Sequence, residues 1–282
     1  MRVRAAAMFG CLGGVLSCAT AAAATEEPGA AVSVGATGGS AVADDRLLFV
    51  GSVSHIPNVN AGLGGQVYWL HDFSSAAKFN IGIERNSLGD GDWTVGSVSG
   101  AFIHSGTTTS PRQYGLNGEI HQGSGSDSVH SFKYQVLAGG LSYALTRRLT
   151  VQLEERYINV DTSHGHLPKF GLAFTADPRW LATVSYAHSA FGDLRTELFA
   201  ARIDVSQSDA RLLAGVALGK AAPAVANLQP SLSGPGQNFR VLYCGVARQF
   251  TGRELQLVAD FLDLGGIRRL TLTASYMVHL RH

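Results

Sequence analysis

The chain has 282 residues, of which 15% are charged and 45% hydrophobic, with 34 glycines and a formal net charge of +1 at pH 7. An average soluble domain carries roughly 25% charged residues and about 7% glycine, so this chain is short of charge for a fully water-exposed surface. The balanced charge, without any basic block, excludes a nucleic-acid-binding surface, and we expect no nucleic acid partner.

The N-terminus predicts a secretory signal peptide over residues 1–24. Arg2 and Arg4 precede an apolar stretch, which ends on small alanines before the first acidic residues. The alternative is lipidation of Cys18 in "VLSC", for which the leucine two positions before the cysteine is a poor fit. No other run approaches the roughly 18 apolar residues of a membrane-spanning helix. Cleavage would leave Cys244 as the single cysteine, so we expect no intramolecular disulfide.

Residues 25–45 are small and polar, which predicts a flexible periplasmic leader. From Arg46 to the end, apolar and polar side chains alternate in segments of roughly ten residues separated by turn residues, as in "KFNIGIERN", "LTVQLEERY" and "LTLTASYMVHL". The pattern predicts about fourteen strands, with twelve as the alternative. The predicted strands are 46–55, 63–71, 78–86, 93–103, 113–122, 132–145, 149–157, 170–176, 180–189, 196–206, 211–219, 238–250, 255–263 and 270–280.

The alternation also indicates which environments the two faces meet. In "RQYGLNGEIHQ", Leu116 and Ile120 share one face of a strand, while Glu119 and His121 share the other. In hydrocarbon every backbone amide must be paired within the protein, so a sheet survives there only when it closes. The sequence therefore predicts an all-β fold, a transmembrane antiparallel β-barrel over 46–282 with its apolar face toward lipid. The alternative is a soluble β-sandwich with the apolar face inward, which the low charge disfavours.

The segment "LEERYINVDTSHGHLPKFGLAFTADPRWLATVSYAHSAFGDLRTELFAARID" has a charged, tyrosine-ended strand, a polar loop, a short "PRW" turn and a serine-tyrosine strand. It resembles the YaiO-like family of Gram-negative outer-membrane β-barrel proteins, over roughly residue 150 to the end. The resemblance implies residence in the outer membrane after Sec-type signal cleavage, contact with membrane lipid and lipopolysaccharide, and assembly by the barrel-insertion machinery. It also implies a link to components that export envelope or surface polysaccharide. It implies no catalytic residues and no cofactor.

Charged and polar side chains on the inward parity are the candidate functional residues, because they would line the lumen. Opposite charges there would either pair across strands and brace the lumen, or form a conduit in which the charges set selectivity. The predicted lumen-lining residues are Glu84, Glu119, His121, Glu154, Arg156, Arg202, Asp204, Arg240 and Asp260, and Arg248 and Arg269 have the same predicted parity.

Two other groupings have weaker chemical interpretations. His164 and His166, near Asp161 in a predicted extracellular loop, offer metal ligands, but a solvated polar loop is favoured and we expect no metal. His188 and Glu197 share the predicted lipid-facing parity, as in a lipid hydrolase, yet no outward serine nucleophile accompanies them. We therefore interpret them as an interfacial pair that contacts lipid head groups.

The sequence contains no GxSxG, Walker, HExxH or CxxC motif, so we expect a non-enzymatic protein without a cofactor. The favoured function is a pore, or an accessory in transport or export of a surface polysaccharide. The alternatives are a lipid-modifying enzyme acting at the outer rim, and a structural or adhesive barrel acting through loops at 159–169 and 220–237.

Overall fold

A computed structural model describes most of the chain from Asp44 to Leu280. The described ranges are 44–57, 61–74, 76–88, 91–104, 113–126, 131–160, 163–177, 179–191, 194–221, 237–264 and 267–280. The predicted signal peptide and nearly all of the predicted leader lie outside these ranges. Within them, no helix has the length and apolar character needed to cross a membrane.

Fourteen strands make up this part of the chain. They are β1 Asp44–His55, β2 Gly62–Asp72, β3 Ala77–Leu88, β4 Gly91–His104, β5 Tyr114–Ser126, β6 Ser131–Ala144, β7 Leu149–Val160, β8 Ser163–Asp177, β9 Trp180–Phe191, β10 Leu194–Gln207, β11 Ala210–Ala221, β12 Gln237–Phe250, β13 Arg253–Leu264 and β14 Ile267–Leu280.

The sheet closes on itself. Each strand pairs antiparallel with the next along the chain, and β1 pairs with β14 over eleven residue pairs from Asp45↔Leu280 to His55↔Leu270. A closed sheet has no unpaired edge, which is what a barrel in hydrocarbon requires. The predicted fold class and the fourteen-strand count are confirmed. The first strand begins at Asp44, so the last two residues of the predicted leader already belong to the sheet.

The two faces of the sheet differ as the alternation requires. Large apolar side chains point out of the barrel and are exposed, among them Ile83 at 58%, Ile120 at 50% and Leu272 at 57%. On the other face, Glu84 is only 3% exposed and Asp260 only 2%. The β-sandwich alternative is wrong, because a water-soluble sandwich packs its large apolar residues inside.

The hairpin tips define the two ends of the barrel. The lower end carries the tight turns Leu145–Arg148, Ser208–Asp209 and Thr251–Gly252, and the upper end carries the opposite tips of the hairpins. At the lower end, Gly252 has φ +70°, a left-handed conformation that glycine adopts without steric cost.

Several upper-end loops are shorter than the sequence predicts. The predicted loop 159–169 is wrong in extent, because β7 runs to Val160 and β8 begins at Ser163. The polar stretch "GSGSDSVHS" is likewise mostly strand, since β5 continues to Ser126 and β6 starts at Ser131. Outward side chains become polar near these tips while the hydrogen-bonded ladder continues, so a polar stretch does not mark a loop. Most of the predicted loop 220–237 lies outside the described residues.

Candidate functional site

The strand register shows which of the predicted lumen residues face the interior of the barrel. Eight of the nine lie on the interior parity and one lies outside. The interior residues are Glu84, Glu119, His121, Glu154, Arg156, Arg202, Asp204 and Asp260.

Five interior side chains on β5, β7 and β8 form an ion-paired network, which we call the charged wall. Arg156 Nη2 lies 3.2 Å from Glu119 Oε1, and its Nε donates to the Glu154 carboxylate. Lys169 Nζ lies 3.3 Å from Glu154 Oε2, and His121 Nε2 lies 3.4 Å from Glu119 Oε2. Their side chains are 15% to 33% exposed, so water reaches all five of them from the lumen.

The strand between β5 and β7 makes this network possible because two of its interior residues, Ala138 and Gly140, are small. In register, Ala138 of β6 lies between Glu119 and Arg156. Gly140 lies opposite Asn117, and a Cβ on this glycine would stand 2.3 Å from Asn117 Oδ1. Side chains from β5 and β7 therefore meet over β6, where a larger residue would separate them.

Lys169 was missed by the sequence prediction. The prediction assigned it to a loop, whereas β8 includes it and turns it inward, with its backbone opposite Glu154. The signal that could have found it is the alternation from Lys169 through Gly171 to Ala173, which continues the interior parity of β8 upstream of Phe170.

A further ion pair lies on the interior face of β10. Arg202 Nε donates to Asp204 Oδ2 and its Nη2 donates to Asp204 Oδ1, both at 2.7 Å. Two parallel bonds of this kind hold the guanidinium and the carboxylate in a single orientation. The pair therefore presents a fixed dipole on β10 with little net charge.

The interior face near the closure of the sheet is much less accessible. Arg269 and Asp260 lie 3.6 Å apart, with side chains only 1% and 2% exposed. Glu84 accepts a hydrogen bond from Asn86, and Ser54 and Thr271 are joined by a hydroxyl contact of 3.1 Å. These groups brace the sheet through mutual contacts, whereas the side chains of the charged wall are more accessible to water.

Arg240 contradicts the prediction, because it lies on the outer face. It shares parity with exposed Leu242 and is paired in register with Leu218, which is also exposed and points outward. Arg248, which was also predicted to face inward, has the same parity as Arg240 and likewise lies on the outer face. Both parities of "RVLYCGVAR" are largely apolar, so the sequence left the phase of β12 undetermined. Each arginine lies near an end of its strand, where an outward charge is not held among the exposed apolar side chains at mid-height.

The histidine pair considered for metal binding lies on β8 instead of in a loop. His166 Nδ1 is 2.8 Å from Glu155 Oε1, and both side chains are strongly exposed on the outer face. Asp161 lies outside the described residues. Among the residues that the structure describes, no three histidine, cysteine, aspartate or glutamate side chains converge as a metal site.

The structure pairs His188 with Glu197 in register on neighbouring strands, and both are exposed on the outer face. Lys220 continues the same row on β11. The outward rows of β8 to β11 contain no serine within their described residues. The arrangement supplies charges at the rim of the barrel but no nucleophile beside the histidine.

Comparison with known proteins supports the fold. No family model matches the chain, and no curated protein matches it. Among solved structures, the monoaromatic hydrocarbon channel CymD is similar with a TM-score of 0.61 and 9% sequence identity, covering 93% of each chain. The Pseudomonas putida toluene transporter TodX is similar with a TM-score of 0.54 and 11% identity, covering 92% of this chain and 93% of that one. At these identities the likeness concerns the barrel architecture alone.

Proposed function

We propose that this protein is a non-enzymatic outer-membrane channel, in which the charged wall filters small polar solutes that diffuse through the lumen. The observation that carries the proposal is a solvent-accessible network of both charge signs on the interior of a closed barrel with an apolar exterior. Fixed charges lining a pore act on permeating ions at short range. The likeness to two channel barrels supports the proposal at the level of fold.

Placement in a bilayer follows from the exterior. The strands are 12 to 15 residues long except for β2 with 11, whereas roughly 9 to 11 tilted residues span the hydrocarbon. The residues beyond this length extend past the apolar belt, which is the band of exposed apolar side chains around the outside of the barrel. At the lower end, Trp180 and Phe250 are exposed on the outer face, where aromatic rings anchor at the membrane interface. The apolar exterior thus fits a membrane, and the polar excess fits water above it.

Removal of one charge from the wall is expected to change ion selectivity. Glu154 bridges Arg156 and Lys169, so Glu154→Gln leaves two cations facing one remaining carboxylate, that of Glu119. We expect the ratio of anion to cation permeability to rise by about twofold or more, since these charges interact at close range. The measurement is the reversal potential of single channels of the full chain in planar bilayers under a KCl gradient.

The matched control is Glu197→Gln, the same chemical change on the outer face. This variant should keep the wild-type reversal potential. A wild-type protein that inserts without conducting, or a Glu154→Gln channel with unchanged selectivity, contradicts the proposed filter.

The second candidate function is a role in export of an envelope or surface polysaccharide. It is supported by the resemblance of the segment after residue 150 to YaiO-like proteins, and a lumen lined by polar side chains is compatible with a hydrated polymer. Deletion of the protein should then lower the amount of polymer at the cell surface, measured by extraction and sugar analysis, and the wild-type chain should restore it. Normal polymer release after deletion would remove this role and leave the diffusion channel intact.

A further inference from the structure

A polar groove lies on the outside of the barrel at the upper end, away from the charged wall. It has a volume of about 450 Å³ and is lined by residues of β3, β4, β5 and β6, including Arg85 and Lys133 at its two sides. Trp93 and Gly125 also contribute to the lining. The groove is therefore a concave surface that combines two cations with small polar side chains.

The register explains how these groups come together. Arg85 pairs with Thr94, Thr94 with Ser124, and Ser124 with Lys133, so the four residues form one row across four strands. All four are exposed and point outward. Strands lie about 4.8 Å apart, so the Cα atoms of Arg85 and Lys133 are roughly 14 Å from each other, with the hydroxyl-bearing residues of the row between them. Asp92 lies two residues from Thr94 on the same face of β4, closer to the upper end, and lines the same groove.

The height of this row above the apolar belt is set by the same pairings. Four residues lower along each strand lies a second row on the outer face, which is apolar throughout. Its side chains are each at least 40% exposed and belong to Ile81, Val98, Ile120 and Leu137. Four residues rise by about 13 Å along a strand, which is roughly 9 Å along the membrane normal at a tilt near 45°. A lipid whose acyl chains contact the apolar row thus has its head group at the level of Arg85 and Lys133.

We propose that this groove binds the phosphorylated sugar head group of an outer-leaflet glycolipid, of the lipid A type found in lipopolysaccharide. Arginine and lysine are the side chains that bind phosphate, and arginine does so through two parallel hydrogen bonds. The separation of their backbone positions leaves room for each cation to contact its own anionic group on a single head group. Hydroxyl groups of Thr94 and Ser124, and the Asp92 carboxylate, hydrogen-bond the sugar between them.

The inference rests on the proposed outer-membrane placement, and its test separates the two. The full chain is purified in detergent and titrated with bis-phosphorylated lipid A, monophosphoryl lipid A or soluble glucosamine 1-phosphate, with bound lipid counted by native mass spectrometry. The double variant Arg85→Gln/Lys133→Gln should bind bis-phosphorylated lipid A at least about tenfold more weakly than wild type, because it loses two charge-assisted contacts. Wild type should prefer the bis-phosphorylated lipid to the monophosphoryl form.

The matched control is Arg147→Gln/Arg148→Gln, which removes the same charge from the exposed turn at the lower end. It should bind lipid A like wild type, and heat-dependent gel migration should show that all variants fold. Equal binding by the groove variant and wild type overturns the inference, as does binding of glucosamine 1-phosphate as tightly as lipid A. Channel conductance, measured separately, is expected to be unchanged in the groove variant, so loss of lipid binding and loss of pore function are distinguishable.

Discussion

At the scale of single residues, two tyrosines on the interior face lie over glycines of the neighbouring strand. Tyr68 is opposite Gly82 in register, and Tyr243 is opposite Gly215. A Cβ built on Gly82 would stand 2.1 Å from Tyr68 Cδ1, so the ring occupies the space that a side chain would need. Glycine weakens a strand, and an aromatic ring from across the pair covers the exposed backbone.

Gly82→Val is therefore expected to destabilise the barrel. The new side chain displaces the Tyr68 ring, and overpacking of this kind typically costs about 1 to 3 kcal/mol of unfolding free energy. Gly65→Val is the matched control, because Gly65 points outward and has no atom within 4 Å of a built Cβ. Urea unfolding of the full chain in micelles measures both. Equal unfolding free energies for the two variants would contradict the packing seen at Tyr68.

The residue scale also shows what a sequence alone can determine about the lumen. Glu119 and His121 sit in a clean alternation with Leu116 and Ile120, so their interior placement follows from parity. Arg240 does not, because apolar residues occupy both parities of its strand and only pairing with β11 and β13 fixes the phase. Which charges touch each other was not predictable either. Those contacts depend on register and on the small residues of an intervening strand.

At the scale of the element, β5 continues as a strand beyond the last apolar residue of its outer face. Its outward residues are apolar at Leu116 and Ile120 and polar from Gln122 to Ser126, yet pairing with β4 continues to Ser126↔Asp92. The sequence predicted the strands in number and order because hydrophobic alternation marks the part inside the bilayer. It could not predict their upper ends, since strand and loop are both polar in water.

Cysteine substitutions along β5 should report these environments. In a cysteine-free background, Cys11→Ser/Cys18→Ser/Cys244→Ser, and in liposomes, Ile120→Cys should resist a water-soluble maleimide because it faces acyl chains. Asn117→Cys should react from the lumen, and Ser124→Cys should react from outside the apolar belt. Labelling is measured by mass shift, with the cysteine-free chain as the unlabelled control. Reaction of Ile120→Cys as fast as Asn117→Cys would show that the apolar face is not covered by lipid.

At the scale of the whole molecule, stability and function both depend on closure of the sheet between β1 and β14. At mid-height the interior near that seam is polar but little exposed, with Ser52 and Thr273 directly opposite each other. The charged wall lies on β5, β7 and β8, far from the seam around the barrel. The sequence predicts a closed barrel from strand count and composition, but the difference between an inaccessible seam and an accessible wall arises only once all interior side chains share one lumen.

A disulfide across the seam tests closure directly. In the cysteine-free background, Ser52→Cys/Thr273→Cys places two cysteines at opposed positions of an antiparallel pair, within the Cα separation that a disulfide spans. We expect spontaneous cross-linking, identified by mass spectrometry of the linked peptides. The cross-link should raise the unfolding free energy by about 5 kcal/mol in the chain-entropy treatment, because it closes a loop of most of the chain.

The control pair is Ser52→Cys/Ser97→Cys, whose strands are separated by β2 and β3, and it should stay reduced under the same conditions. Cross-linking of the control pair, or none at the seam, would mean that β1 and β14 do not close the sheet.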